Sequence, residues 1–182
     1  MSKSISLENY KKAFARDGSL RDLYIPKTQR NDWECILNYV QRRSDFTNIL
    51  FIDQHPHPLD VDIQELFHIT SDHAVLLRID AKQLQLHCHF FEMQKIEFDF
   101  DPSVINTDDR LNRLMEFIHN ISVISKKCIF LTPENEENVH YYSYNPETGD
   151  EKWSLPEWES YKILDFKNIP SILHEIEEKH KK

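Results

Sequence analysis

The stretch LHCHFFEMQKIEFDF, residues 86–100, decides how this chain is read. Two histidines flank a cysteine and carboxylates follow, so the run is either a cluster of metal ligands or two strands of a hairpin. Successive side chains of an extended strand point to opposite faces. Leu84, Leu86, Cys88 and Phe90 then share one face, and Gln85, His87 and His89 the other. In the following strand Ile96, Phe98 and Phe100 oppose Glu97, Asp99 and Asp101. A turn through Glu92, Met93 and Gln94 sets Phe91 against Lys95, His89 against Glu97, Cys88 against Phe98, His87 against Asp99 and Leu86 against Phe100. One face becomes wholly apolar and the other pairs imidazoles with carboxylates. Register is strongly specified wherever one face is buried, which favours this alignment. Cys88 belongs to the core and cannot join His87 and His89 in one site. The two histidines alone retain the option of a metal site, which needs further donors from elsewhere in the chain.

Outward from this hairpin the pattern continues. AVLLRI supplies a strand before it, NILFI (48–52) reads as a fully buried strand, and LRDLYI places Leu23 and Ile25 opposite Asp22 and Tyr24. A first helix is expected from Leu7 to Arg16, with Ser6 as N-cap and Asp17-Gly18 stopping it. A second runs from about Arg30 to Arg43, capped by Thr28 or Asn31, with Trp33, Ile36, Leu37 and Val40 on its apolar stripe. IQELFHI (63–69) fits helix or strand, helix being preferred. Thr107 caps a long helix from Asp108 to about Ser125 that buries Leu111, Leu114, Met115, Ile118 and Ile121. CIFLT and VHYYSY form two strands separated by PENEEN, EKWSL is a candidate for a further strand, and a last helix starts near Pro170 after a cap at Asn168 or just beyond. Consecutive strands with interspersed helices predict one α+β layered domain over residues 1–182, a mostly antiparallel sheet with helices packed on it.

Composition narrows the function. The 182 residues carry 22 Lys plus Arg against 31 Asp plus Glu, a formal charge of −9. That balance disfavours nucleic acid and anionic membrane and steers towards a basic partner. Only Gly18 and Gly149 occur, too few for a phosphate-cradling loop. The N-terminal segment is charged and lacks the apolar core of a signal peptide, and no run is long enough for a membrane helix. Cys35, Cys88 and Cys128 are far apart and odd in number, as expected of reduced, buried thiols in a cytoplasmic protein. No cofactor is expected.

A second histidine run, ILFIDQHPHP (49–58), ends a strand in Asp53 and adds His55 and His57. It resembles the D-x-H-x-H start of amidohydrolase-type metal sites, where strand-end histidines hold a cation that activates water. Such barrels run to about 250 residues, and Pro56 and Pro58 favour an exposed, extended loop. A metal-dependent hydrolase using Asp53, His55 and His57, or His87 and His89, is therefore the alternative reading. In HYYSY (140–144), Tyr142 and Tyr144 lie with His140 on one face and Tyr141 with Val139 on the other, and one of these faces must be core.

DGSLRDLYI (17–25), followed by Asp32-Trp33 ahead of an amphipathic helix, resembles small bacterial immunity-type proteins that partner polymorphic toxins. IFLTPENEENVHYYSYNPETG (129–149) is similar to a strand-turn-strand feature of some of them. The resemblance implies a cytoplasmic, non-enzymatic α+β protein that occludes the active site of a cognate toxin domain. It brings no catalytic residues. The expected partner is a basic protein, met by acidic residues around aromatic anchors, with Glu134, Glu136, Glu137, Tyr142 and Tyr144 as the candidates.

Overall fold

The apolar alternation that runs through the central strands builds one sheet. The computed structural model describes residues 5–155. Nine strands are present: β1 (Arg21–Pro26), β2 (Phe46–Ile52), β3 (His55–His57), β4 (Val75–Ala81), β5 (Leu84–Glu92), β6 (Lys95–Phe100), β7 (Ile129–Pro133), β8 (Tyr142–Asn145) and β9 (Asp150–Trp153). They pair antiparallel in the order β3-β2-β4-β5-β6-β1-β7-β8-β9. Three α-helices accompany them: α1 (Arg30–Arg42), α2 (Ile63–Ile69) and α3 (Asp108–Ser125). The fold is α+β.

Register aligns like with like across the sheet. Leu50, Leu77, Cys88, Phe98, Leu23, Leu131 and Tyr142 form one continuous row over seven strands. Every member of that row is buried. The helices lie on this face. Trp33 of α1 stacks on Phe90 with ring centroids 5.1 Å apart, Phe67 of α2 meets Phe90 edge-on, and Phe117 of α3 meets Phe98 edge-on. Leu111, Leu114, Met115, Ile118 and Ile121 of α3 are buried as its spacing predicts. Thr107 accepts the Arg110 N–H, and Asp108 and Asp109 occupy the first turn, where the helix dipole favours them.

Several expectations are corrected. The first helix is a 3-10 segment, Leu7–Phe14, and the Ser6 side chain makes no cap bond. The buried guanidinium of Arg21 donates to the carbonyls of Ala13, in its last turn, and Ala15, just past its end. Gln29, not Thr28 or Asn31, caps α1, and its N–H donates to the Asp32 carboxylate at 2.8 Å. Thr28 is occupied elsewhere: its hydroxyl donates to the Met93 carbonyl, which also accepts Trp33 Nε1–H. These two bonds fasten the β5–β6 turn to the start of α1. NILFI is not fully buried, because β2 lies next to the sheet edge and only Leu50 is covered. Residues 55–57 form edge strand β3 instead of a loop, although all three side chains are exposed. Of the three thiols only Cys88 is buried, while Cys35 and Cys128 are partly exposed. IQELFHI is helix α2 and EKWSL contributes strand β9. The helix expected from Pro170 lies outside the described residues.

Glycine scarcity leaves tight turns to other residues. Asp53 and Gln54 join β2 to β3, and Lys82 and Gln83 join β4 to β5, all with positive φ between 48° and 77°. Consecutive left-handed residues suit the two-residue hairpin turn whose twist matches its strands.

Candidate functional site

The face of the sheet opposite the helices is polar at its centre. The buried row described above points to the helices, so the intervening residues point away. Across β4, β5, β6 and β1 this second face carries Arg78, His87, Asp99 and Asp22 in one row and Leu76, His89, Glu97 and Tyr24 in the next. The sequence-derived pairs His87–Asp99, Cys88–Phe98 and His89–Glu97 are all present. The register shifts between His89 and Glu92, however, so Glu92 and not Phe91 meets Lys95. This bulge leaves Phe91 68% exposed while Phe90 stays buried.

The imidazoles do not each take the carboxylate opposite. Both converge on Asp99: His87 Nδ1 lies 2.9 Å from one oxygen and His89 Nε2 2.5 Å from the other. Burial alone raises the Asp99 carboxyl, but the hydrogen bonds and charges of the two histidines prevail and hold it at about 2. Asp22 accepts the Tyr24 hydroxyl at 2.9 Å and the Asn135 N–H at 2.7 Å. Burial nevertheless dominates, and with Asp99 and Glu134 nearby it pushes the Asp22 carboxyl up. Glu97 is raised in the same way, by burial first and then by Asp22. Burial and the Asp22 bond push the Tyr24 hydroxyl far above its usual range. Among the described residues, none of Asp22, Glu97 and Asp99 forms an ion pair with lysine or arginine. Three carboxylates thus share one patch with two histidines, and the Lys95 ammonium lies 5.2 Å from the Tyr24 ring at its margin.

The acidic tip borders this patch. Residues 134–137 follow β7, and the Asn135 bond to Asp22 draws the tip over the strand-β1 side of the face. Glu134 accepts the Leu20 N–H at 3.0 Å, Glu137 pairs with Lys95, and Glu136 is exposed. Tyr142 and Tyr144 do not join them. Tyr142 is fully buried on the helix side, bonded to His119 of α3 and to Glu151. Tyr144 packs on the His119 ring at 4.3 Å, half-buried. One tyrosine face is core, as expected, but the other is not left free: Tyr141 is buried too, with the Arg21 guanidinium 5.7 Å from its ring, while Tyr142 meets His119 of α3. Tyr142 is not an exposed anchor.

The second histidine run also separates. Asp53 turns to His73, with His73 Nδ1 at 2.5 Å, and its other oxygen accepts the Ala74 N–H. His55 and His57 stand exposed along β3, paired in register with Ile52 and Leu50. Among the described residues no three His, Cys, Asp or Glu side chains converge to hold a metal ion. Neither His87 nor His89 hydrogen-bonds a hydroxyl or thiol among those residues, and Cys88 points to the helices.

Asp22, Tyr24 and Phe91 were not marked by sequence as site residues. Asp22 and Tyr24 sit on the polar side of a strand whose central place only the topology reveals. Phe91 owes its exposure to the bulge. No protein-family model, no characterised relative and no solved structure matches the chain. Among the described residues no helix is long and apolar enough to cross a membrane.

Proposed function

We propose that this chain is a non-catalytic binding protein of the bacterial immunity type, which neutralises a basic cognate toxin domain by covering its active site. It would act in the cytoplasm. The observation that carries this reading is the sheet face that no helix covers among the described residues. Asp22, Glu97 and Asp99 lie there without lysine or arginine partners among the described residues, bordered by the Glu134–Glu137 tip. Carboxylates that lack lysine or arginine partners attract a basic surface and speed its encounter. An acidic chain of formal charge −9 extends the same field.

Co-expression tests the proposal. The product of the adjacent open reading frame, expressed alone, arrests growth, and this chain restores it. Reversing charge at Glu136 and Glu137 to lysine weakens protection, because like charges now oppose the partner. A harmless neighbour, or a toxic neighbour that this chain does not restrain, overturns the reading.

A further inference from the structure

We infer that the groove beside Phe91 is a docking site for an apolar side chain carried next to a lysine or arginine on a partner protein. This deepens the binding function proposed above and rests on it for the partner's identity.

The groove has a volume of about 430 Å³ and is lined by Thr70, His73, Val75, Leu76, His89 and Phe91 among others. Its outer wall is unusual. Phe91 is the most exposed of the large apolar side chains among the described residues, at 68%. Its ring lies flat on His89, with centroids 4.9 Å apart and planes within 9°. His89 is in turn held by Asp99 at 2.5 Å. The wall is therefore set before any partner arrives, and little side-chain entropy is lost on docking. Leu76 stands opposite His89 in register and supplies the apolar floor. A lone exposed phenylalanine is ordinary; what sets Phe91 apart is that its ring is stacked in place on His89 and walls a groove, and aromatic rings are enriched at the cores of interfaces.

Charge identifies the neighbour of the docked side chain. Glu97 lies opposite His89 on the other side, one strand spacing from the groove. It is half-buried and has no ion pair with lysine or arginine among the described residues. Lys95, the nearest ammonium on its strand, is drawn to Glu92 and Glu137. The remaining groups around the groove are the Asp53–His73 pair on its rim, Asp99 with His87 and His89, and Arg78 opposite His87, which pairs with Asp80. Carboxylates outnumber fixed positive charges, so an acidic segment is repelled and a basic one is favoured. A second copy of the chain would bring the same acidic patch against itself.

Short peptides probe the site without the partner. The full chain, labelled with ¹⁵N, is titrated with N-acetyl-Phe-Arg-amide, N-acetyl-Phe-Glu-amide and N-acetyl-Gly-Arg-amide. The Phe-Arg peptide shifts the amides of Leu76, His89, Phe91 and Glu97, and the other two bind several-fold more weakly. Phe91→Ala, at an exposed position, keeps the fold and weakens binding about tenfold. Glu97→Gln weakens it roughly two- to fivefold, the range of a partly solvated ion pair. Equal affinity for the Phe-Glu peptide, shifts that map elsewhere, or an unchanged Phe91→Ala each overturn the site. So does a concentration-dependent dimer abolished by Phe91→Ala. Peptide binding without rescue of cells sinks the inhibitor reading and leaves the groove. Rescue without peptide binding does the reverse.

Discussion

Replacing Asp99 by asparagine tests whether the two imidazoles are held by charge or merely adjacent to it. The carboxyl is held at about 2 against an ordinary 3.8, despite burial that works the other way. Since each tenfold shift in proton affinity is worth 1.36 kcal/mol, the ionised Asp99 contributes about 2 kcal/mol to folding at neutral pH. The sign follows from the lowered value. The contribution is complete above the unfolded carboxyl's range near 4 and is lost as pH falls from there towards 2. Asp99→Asn should therefore be about 2 kcal/mol less stable than the parent at pH 7. With a urea dependence of about 2 kcal/mol per molar, the midpoint drops by roughly 1 M. As pH falls to about 2, the parent loses the same increment and the two curves converge. Tryptophan fluorescence during urea unfolding at pH 7, 5, 3.5 and 2.5 follows this directly, with Trp33 buried as reporter. Equal stability at pH 7 refutes the reasoning. A deficit that stays constant down to the lowest pH refutes it equally, because loss of packing does not titrate.

The neighbouring carboxylates predict the opposite sign. Glu97→Gln raises the urea midpoint at pH 7, because the native site disfavours the charged form, and the gain fades as pH falls through the carboxylate range. Arg21→Lys lowers the midpoint by an amount worth about 2 kcal/mol, since one ammonium cannot replace a buried fork that donates to the Ala13, Ala15 and Leu20 carbonyls and to Asp17. Gln54→Gly stabilises by about 0.5–1 kcal/mol on thermal or urea unfolding, because φ there is 70° and glycine meets no Cβ penalty.

How much the chain disclosed depended on whether local pattern or long-range topology fixed each feature. The hairpin register from His87 to Asp99 was legible, because a one-residue slip would have turned His87, His89, Glu97 and Asp99 into the core. Helix α3 was legible from its caps and apolar spacing. The bulge before Glu92 was not, because alternation breaks there by one residue within a run of two phenylalanines, either of which could serve the core. The α1 cap was misread for a tertiary reason: Thr28 has a better partner in the Met93 carbonyl. The two buried tyrosines at 141 and 142 follow from long-range neighbours, Arg21 beside one and His119 of α3 beside the other, which strand periodicity cannot encode. The meeting of Asp22 with Asp99 and Glu134 requires β1 to lie between β6 and β7, and nothing local to residues 21–26 declares it.

That placement of β1 also orders events during synthesis. The strand leaves the ribosome early, yet its two neighbours, residues 95–100 and 129–133, are made much later. Strands β2 to β6 can pair with one another in the interval, in the order β3-β2-β4-β5-β6. The first strand can join β6 once residues 95–100 are made, but its other edge stays unpaired until β7 emerges. A chain halted after residue 106 would therefore expose one whole flank of β1.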